Sequence, residues 1–451
     1  MDRRRTAAPA PTVRGRRTGE EEGEAPDRAQ VIVVGGGLGG LLAAALAAAD
    51  GARVLLLDAH PLGGRARTDQ RGGFTFNRGP RALYRGGPAD RLLRSLGVAT
   101  RTGAKPGLTR AGAILDGRVH RFPTSAAAAL RTDLFAGARR RDAARALGAL
   151  AARTATLPDD LPLAAWLDDR GLTGTPRSFV EALVRVATYA DAPDHLPASV
   201  GLAAARSAST RGVQYLDGGF QALVDALAGL AAARGVVHVA EAAAAVRRSA
   251  HDGWVVETGG GRTWAAPAVV VAVGGPGAVT ALVGEDAAAL PPLGPAAQVA
   301  CLELGLRRPP ARGFLAGIDE PTYASLHAPP ADLAPPGGAV LHVMRSSGRG
   351  PRLEPADVAA DLRRVAALAG VDAADVVEER FLASMTVTGA LPDAALGGLP
   401  GRAPVADPSR PGLLLVGDWV GEVGLLLDAV AASAALAARH ARQRSATMGA
   451  G

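Results

Sequence analysis

Three glycines near the amino terminus have the spacing of a phosphate-binding turn. Gly35, Gly37 and Gly40 form a G-x-G-x-x-G run, and Asp58 follows 18 residues after the last of them. The first glycine allows a sharp turn, the second lets a pyrophosphate approach the backbone, and the third lets a helix lie close to a strand. A carboxylate at Asp58 can accept both ribose hydroxyls of an adenosine. The pattern predicts a dinucleotide site, which also includes Leu38, Gly39 and Ala59.

The surrounding segments have the strand–helix–strand order that such a turn requires. Val31 to Val34 predict a strand buried on both faces, and Leu38 to Ala49 predict a helix whose free N–H groups point at the phosphates. Arg53 to Leu57 predict the second strand. A membrane-spanning helix is the main alternative, because Val31 to Ala49 is a run of 19 uncharged residues. The glycines within it, and the charged segment that follows, favour the dinucleotide fold.

A second group of residues after Asp58 can neutralise phosphate charge. Gly63, Gly64 and Arg65 begin a G-G-R-x-x-T run that ends at Thr68. Two phosphate charges require a cation, and a guanidinium supplies it with paired hydrogen-bond donors. The run therefore predicts a second contact with the same diphosphate.

Two further segments contain glycines at places where a ligand can approach. Gly79-Pro80-Arg81 follows an aromatic run and suits close backbone contact with a flat molecule. Near the carboxyl terminus a predicted strand ends in Gly417-Asp418. A loop then leads through Gly424 to a predicted helix from Leu425 to Arg439, with Leu426 in its first turn.

Together these segments resemble the flavoprotein family of amine oxidases, phytoene desaturases and protoporphyrinogen oxidases. The resemblance spans residues 31 to 438 and also includes the G-G-x-x-x-L segment at 218–223. It implies FAD as the cofactor rather than NAD alone, held noncovalently because no cysteine lies in the carboxyl-terminal region. It also implies an α/β fold, in which a discontinuous Rossmann-like FAD-binding domain joins an α+β substrate domain in a glutathione reductase/amine oxidase-like architecture.

The resemblance assigns roles to residues of the amino-terminal half. The glycines of the first two motifs wrap the diphosphate, and Arg65 contacts the FAD phosphates or ribitol. The backbone at Gly79-Pro80-Arg81 passes by the flavin ring. Tyr84 either faces the flavin or packs in the core. A backbone contact with the adenine falls near Ala243.

The resemblance also assigns roles near the carboxyl terminus. Asp418 contacts the ribityl or diphosphate region, and Asp428 and Ser433 match the family pattern on the last helix. The amino-terminal end of that helix points at the pyrimidine edge of the flavin, where negative charge collects on reduction. Members of the family commonly lack an essential acid or base, and no catalytic side chain is predicted here.

Composition argues against several other classes of protein. The formal net charge is +7, but Lys105 is the only lysine, and no basic stripe with interleaved aromatic residues indicates a nucleic-acid partner. The single cysteine, Cys301, excludes an internal disulfide and a cysteine-based metal cluster. The eight histidines show no metal-ligand spacing, so no metal is predicted. A reducing, cytoplasmic setting fits this composition.

The predicted organisation has a disordered tail and two domains. Residues 1–30 are rich in Arg, Glu, Pro and Ala, which predicts disorder. The FAD-binding domain is expected at 31–104, 210–290 and 400–445, and the substrate domain at 105–209 and 291–399.

The segments expected to form the substrate domain contain few residue patterns that are specific to one function. Residues 89–208 have a mostly helical pattern, and the basic segment 131–153 fits either contact with a membrane surface or a solvated helix face. Strands are predicted at 299–305, 339–345 and 378–386. Cys301 reads as a core residue. Four polar side chains nearby could reach a pocket, although each is more typical of a structural role: Tyr323, Ser325, His327 and His342.

We therefore expect an FAD-dependent oxidoreductase that removes hydride equivalents from a small or lipophilic organic substrate, in the manner of phytoene desaturases and protoporphyrinogen oxidases. A flavin-dependent amine oxidase is one alternative, although many of these keep a lysine near the flavin and Lys105 lies in an unsuitable loop. A flavoprotein without net redox turnover, such as an isomerase, is the other. The substrate, the electron acceptor and the oligomeric state stay open.

Overall fold

The computed structural model describes residues 27–98, 110–151, 157–249, 253–284, 290–349 and 353–449, so that Lys105 and residues 1–26 lie outside the described part. The helices in chain order are α1 (Leu38–Ala47), α2 (Pro88–Ser95), α3 (Ala126–Ala129), α4 (Arg139–Ala151), α5 (Leu163–Asp169), α6 (Gly174–Thr188), α7 (Ala198–Thr210), α8 (Phe220–Ala233), α9 (Pro276–Val283), α10 (Pro355–Leu368) and α11 (Leu426–Gly449).

The strands in chain order are β1 (Asp27–Arg28), β2 (Val31–Val34), β3 (Val54–Leu57), β4 (Thr68–Arg71), β5 (Phe74–Asn77), β6 (Leu83–Tyr84), β7 (Gly112–Leu115), β8 (Arg118–Arg121), β9 (Val213–Gln214), β10 (Val237–Val239), β11 (Ala243–Arg248), β12 (Trp254–Thr258), β13 (Thr263–Ala266), β14 (Ala268–Val271), β15 (Ala297–Leu306), β16 (Phe314–Gly317), β17 (Thr322–Ala328), β18 (Ala339–Ser347), β19 (Val376–Thr388) and β20 (Leu413–Leu415). They form one five-stranded, one seven-stranded, one four-stranded and two two-stranded sheets.

A parallel five-stranded sheet carries the predicted phosphate-binding turn. Its strand order is β10-β3-β2-β14-β20, and every neighbouring pair is parallel. All four residues of β2 are buried, as expected of a central strand with both faces covered. Helix α1 packs against both α8 and α11. The Rossmann-like order predicted from the sequence is confirmed, and ligands of such sheets bind at the carboxyl ends of the strands.

A mixed seven-stranded sheet forms the second layer of the molecule. Its order is β19-β15-β18-β17-β16-β7-β8, with β16 and β7 parallel and the other pairs antiparallel. One face, which includes Leu302 and Leu341, packs against α10. The opposite face, which includes Cys301 and Met344, packs against Leu426 at the start of α11. The sheet therefore stands between α10 and the unit built on the parallel sheet.

Residues 112–121 differ from the sequence expectation, because they form the hairpin β7–β8 inside a region with a mostly helical pattern. The turn of the hairpin is Asp116-Gly117, and both residues have positive φ, +50° and +69°. An Asp-Gly turn of this kind suits a two-residue hairpin. Pairing of β7 with β16 adds the hairpin to the seven-stranded sheet, which therefore has more strands than the sequence predicted.

Both termini of the described chain are more ordered than expected. Residues 27–30, assigned to the disordered tail, include β1, which pairs with β13. The Ser445 hydroxyl donates to the Gln30 carbonyl at 2.9 Å, so the last helix holds this segment. Helix α11 continues to Gly449, ten residues beyond the predicted end at Arg439. None of the described helices has the length and apolar character needed to cross a membrane.

Candidate active site

A cavity of about 740 Å³ lies at the carboxyl edge of the parallel sheet, within the size range of small-molecule and cofactor sites. Turns after β2 and β3, the segment before α2, and the loop between β20 and α11 contribute to its wall. Its lining includes most of the site residues predicted from the sequence, namely Gly35, Gly37, Leu38, Gly39, Asp58, Ala59, Gly63, Gly64, Arg65, Pro80, Arg81, Ala243, Gly417, Asp418 and Leu426.

Four predicted site residues do not line the cavity but support its wall from behind. A Cβ on Gly40 would lie 1.8 Å from the Gly35 carbonyl oxygen, so this glycine lets α1 pack against the turn. The Gly79 N–H donates to a buried carboxylate of β15 at 2.7 Å. The Gly424 carbonyl accepts a guanidinium hydrogen bond at 3.1 Å. Leu425 packs against the apolar cluster of helices α5 to α7.

The glycine turns form a cradle of backbone without side chains. Gly35 has φ +103°, and a Cβ on it would lie 2.6 Å from the Ala272 carbonyl oxygen, so only glycine fits there. Gly37 is the N-cap of α1, and its Cβ would meet no heavy atom of a non-neighbouring residue within 4 Å. Gly63 pairs with Gly37 from the other side. Open space beside the free N–H groups of a helix start fits a pyrophosphate.

The carboxylate of Asp58 holds the phosphate-binding turn. One of its oxygens accepts the Gly36 N–H at 2.6 Å and the other accepts the His60 N–H at 2.8 Å. Because the side chain also lines the cavity, its predicted contact with ribose hydroxyls would add to bonds that already fix its position. Ala243 lines the cavity at the start of β11, close in space to this end of the parallel sheet.

Arg65 and Asp418 form an ion pair across the cavity wall, with the guanidinium nitrogen 2.7 Å from a carboxylate oxygen. The second oxygen of Asp418 accepts the Gly389 N–H at 3.0 Å and the Thr388 hydroxyl at 3.2 Å. Only 4% of the Asp418 side chain is exposed. The carboxylate therefore joins the carboxyl-terminal loop to β19, a role that the sequence did not predict for it.

Arg81 is a cavity-lining cation whose described hydrogen bonds go to carbonyl oxygens. It donates to the carbonyl of Arg65 at 2.7 Å and to that of Arg78 at 3.4 Å. Desolvation, together with the nearby Arg65 charge, lowers the pKa of Arg81 to about 10, so it stays protonated at neutral pH. Arg81 is half-buried and has no described hydrogen bond to a carboxylate, although Asp418 and Glu303 attract it electrostatically. The donor set around the glycine cradle thus fits a ligand that carries phosphate groups.

The four tyrosines of the chain lie near the end of the cavity away from the glycine cradle, where three of them are buried and Tyr84 is half-buried. Tyr84 and Tyr189 line it, and the Tyr84 hydroxyl donates to the Ala187 carbonyl at 2.6 Å. Tyr215 and Tyr323 lie behind them and interact through their hydroxyls with Ser325. Burial raises the pKa of all four phenols, so each stays neutral. Of these residues, only Tyr84 was predicted as a candidate for the flavin end.

The same end of the cavity is apolar and locally strained. Tyr189 and Leu426 have φ +61° and +53°, and both line the cavity. Bulky residues rarely adopt this conformation, and such strain occurs often at functional sites. Around them, Cys301, Met344 and Met385 belong to one apolar cluster. This end therefore offers neutral hydroxyls and apolar surface.

The polar side chains that the sequence singled out in the seven-stranded sheet do not line the cavity. Two of them, Ser325 and His342, belong to a row of four buried residues that also contains Glu303 and Arg380. These residues pair with one another across the adjacent strands β17, β18, β15 and β19. Glu303 pairs with Arg380 and accepts the Gly79 N–H. Cys301 is fully buried beside this row. The row therefore supports the Gly79 turn, a contact that was missed because it joins residues 224 positions apart.

Asp428 lies in the first turn of α11 and lines the cavity. Its carboxylate accepts the Ala89 N–H at 2.9 Å and so caps α2. Burial raises the pKa of this carboxyl above its ordinary value. Ser433, on the next turns of the helix, exchanges hydrogen bonds of 3.3 Å with the backbone of Gly417. The two family-pattern residues of α11 thus hold its start against the cavity.

Known proteins share this fold and parts of this sequence. A curated coproporphyrinogen III oxidase from Propionibacterium freudenreichii subsp. freudenreichii is 32% identical over 133 residues, which span 29% of this chain but only 25% of that protein. A putative protoporphyrinogen oxidase from Exiguobacterium sp. 255-15 superposes with a TM-score of 0.64 at 16% identity, covering 93% of this chain and 100% of the other. Putrescine oxidase bound to putrescine superposes with a TM-score of 0.63 at 16% identity, covering 94% and 99%.

A model of one protein family covers most of the chain. The family described as flavin containing amine oxidoreductase matches residues 38–441, which include Gly40 at the end of the glycine turn, the Arg65 segment and the start of α11. The glycine cradle and the cavity-lining guanidinium of Arg81 fit the diphosphate of the cofactor of this family. The chain therefore belongs to the flavin-containing amine oxidoreductase family, and its cofactor is FAD.

Proposed function

We propose that this protein oxidises a small, lipophilic organic molecule by removing a hydride equivalent. The observation that supports this proposal is one continuous cavity that runs from the glycine cradle to an apolar end lined by Tyr84, Tyr189 and Leu426. Such a shape allows a substrate to meet the redox-active part of a dinucleotide whose phosphates lie at the other end. Bound FAD supplies the chemistry, because its flavin ring accepts the hydride equivalent.

The residues of the cavity have separate tasks in this proposal. Asp58 and Ala243 hold the adenosine end, and Gly37 with its neighbouring glycines approaches the diphosphate. Arg65 and Arg81 supply the positive charge. The flavin then lies toward the segment Pro80–Tyr84 and the start of α11. The chain's own side chains therefore bind, orient and exclude water, and none of them is assigned as acid or base.

The apolar end favours a lipophilic substrate over a charged one. Asp428 is the carboxylate of this end, but it is engaged in capping α2, and the phenols nearby are neutral. A protonated amine would find little negative charge there. The partial relative and one structural neighbour are named as oxidases of porphyrinogens, which supports oxidation of a substrate other than an alkyl amine. The match to putrescine oxidase keeps amine oxidation as the second candidate.

We propose the same division of the chain that the sequence predicted, with the FAD-binding domain built from three segments around the parallel sheet. The attachment of FAD is proposed to be noncovalent. The single cysteine, Cys301, is fully buried in β15 and does not line the cavity. No cysteine thiol is thus placed to bond the flavin.

The test begins with the absorption spectrum of the purified protein, before and after denaturation. A yellow protein that releases FAD into the supernatant is expected. Under anaerobic conditions we would then add a porphyrinogen, a polyene and a set of primary and secondary amines, and follow the loss of flavin absorbance. Bleaching by a lipophilic reductant but not by amines supports the proposal.

Bleaching by amines alone would replace the proposed substrate class with the second candidate. An FAD-bound protein that no compound bleaches, while dithionite does, would point to a flavoprotein without net redox turnover.

The variant Tyr189→Phe is a matched probe of the apolar end, because it keeps the ring and removes only the hydroxyl. For a lipophilic substrate its kcat/KM should stay within about threefold of the wild type, since no charged or essential hydrogen bond is lost.

A further inference from the structure

Arg402 is a buried arginine directly behind the loop that joins β20 to α11. Only 4% of it is exposed. Its guanidinium donates to the Asp418 carbonyl at 3.2 Å and to the Gly424 carbonyl at 3.1 Å. One side chain thus holds both ends of the loop whose neighbours Gly417, Asp418 and Leu426 line the cavity.

The charge of Arg402 has no dedicated counter-ion in the described part of the chain. Its hydrogen bonds go to backbone carbonyls, and its Nε atom is buried without a partner there. The carboxylate of Asp418, which attracts it electrostatically, is already engaged by Arg65, the Gly389 N–H and the Thr388 hydroxyl. Desolvation lowers the pKa of Arg402 to about 10, yet the group remains protonated at neutral pH.

The start of α11 adds positive potential at the same end of the cavity. Because the Asp418 and Gly424 carbonyls point at Arg402, the N–H groups of the same trans peptides point away from it. The first turn of α11 lines the cavity, and its free N–H groups carry the positive end of the helix dipole. Arg402 and this helix start therefore act with the same sign on one end of the cavity, against the carboxylates of Asp428 and of Asp418, the latter paired with Arg65.

We propose that Arg402 is a positioning residue whose fixed positive charge, held behind the β20–α11 loop, makes the cavity favour additional negative charge on the bound flavin and so raises its reduction potential. The inference rests on the proposed placement of the flavin ring beside the first turn of α11. An unpaired buried cation is unfavourable in the folded protein by itself. A cofactor that becomes more negative on reduction would offset part of that cost.

The experiment uses sulfite as a probe of this charge. Sulfite adds to N5 of oxidised flavin and leaves a negative charge on the ring, without electron transfer to or from the protein. We would measure the Kd of sulfite and the midpoint potential of the FAD-bound wild type, Arg402→Gln and Arg402→Lys. Arg308→Gln is the control, since Arg308 is an exposed arginine paired with Asp375.

Arg402→Gln should raise the Kd of sulfite by roughly tenfold or more, which corresponds to ~1.4 kcal/mol, and lower the midpoint potential. Arg402→Lys should stay within about threefold of the wild type, because it keeps the charge. Arg308→Gln should not differ. A structural role limited to holding the loop would instead make Lys and Gln equally defective, and that result overturns the proposal.

FAD content separates this inference from the proposed function. A full complement of FAD in Arg402→Gln, together with an unchanged sulfite Kd and potential, overturns the role of Arg402 alone. If that variant does not fold, the wild type decides, because a midpoint potential no higher than that of free FAD and an absence of sulfite binding also overturn the role. A wild type that binds no FAD overturns both this inference and the proposed function.

Discussion

Gly37 and Gly40 belong to one motif, yet the structure predicts opposite consequences when each is changed to alanine. The backbone of Gly37 has φ −73° and ψ 179°, which any residue adopts. A Cβ there meets no heavy atom of a non-neighbouring residue within 4 Å. The lost flexibility of the unfolded chain contributes about 0.4–1 kcal/mol in favour of Gly37→Ala, and the poorer N-cap costs a similar amount. The free energy of unfolding should therefore change by less than about 1 kcal/mol.

The same methyl group stands in the space that the pyrophosphate would use. It should prevent the phosphate oxygens from reaching the N–H groups at the start of α1. One hydrogen bond to a charged group, worth about 1.5–3 kcal/mol, would be lost. The Kd of FAD should accordingly rise by roughly tenfold to 150-fold in Gly37→Ala.

Gly40→Ala should instead damage the fold. Its Cβ would lie 1.8 Å from the Gly35 carbonyl oxygen and 3.0 Å from the carbonyl carbon, and backbone atoms cannot move aside as a flexible side chain can. We expect a loss of about 3 kcal/mol or more in the free energy of unfolding, at the upper end for overpacked sites. The assay is urea unfolding of the FAD-free proteins, paired with a fluorescence titration of FAD. Wild-type affinity in Gly37→Ala, or wild-type stability in Gly40→Ala, would refute the reasoning.

Three further predictions follow from buried polar groups. The native protein should show no tyrosinate absorbance until it unfolds at alkaline pH, because burial raises the pKa of all four phenols. Because the tyrosines of the unfolded chain deprotonate first, the free energy of unfolding should fall above about pH 10. Titration of tyrosines near pH 10 in the native protein would contradict this. Arg65→Gln and Asp418→Asn should each cost about 1–3 kcal/mol, and urea unfolding of the double variant should show less than the sum. Asp428→Asn keeps an acceptor for the α2 cap and should stabilise the protein at pH 7 more than at pH 4, because a carboxyl whose pKa is raised in the folded state destabilises the wild type increasingly as the pH rises above its ordinary pKa.

The cofactor end of the cavity could be predicted well because its determinants are local. Gly35, Gly37 and Gly40 lie within one turn, and the strand before and helix after them are recognisable from β-branched and alanine-rich runs. Asp58 follows the next strand at its end. Each of these features depends on backbone conformations that few residues other than glycine allow, so residue type and spacing carry most of the information.

The partners of individual polar side chains could not be predicted, since a residue type does not reveal them. Asp418 lines the cavity, and its carboxylate is bound by Arg65, Gly389 and Thr388. Asn77 accepts the Phe220 N–H at 2.8 Å and so caps α8. The partners of Asp418 and of Asn77 are all remote in sequence, and no local sequence pattern indicates these contacts.

The walls of the cavity also depend on such remote contacts. The Tyr84 hydroxyl reaches a carbonyl 103 residues away, the Gly79 N–H reaches a carboxylate 224 residues away, and Arg65 reaches the Thr386 carbonyl across 321 residues. In each case a segment next to the parallel sheet meets the helical insertion or the seven-stranded sheet. A change in how these layers pack would therefore move the walls around the substrate while leaving the glycine cradle intact. Relatives that share the motifs can for this reason keep the same cofactor and differ in what they oxidise, and the identity of the substrate must come from the shape of this interface rather than from any motif.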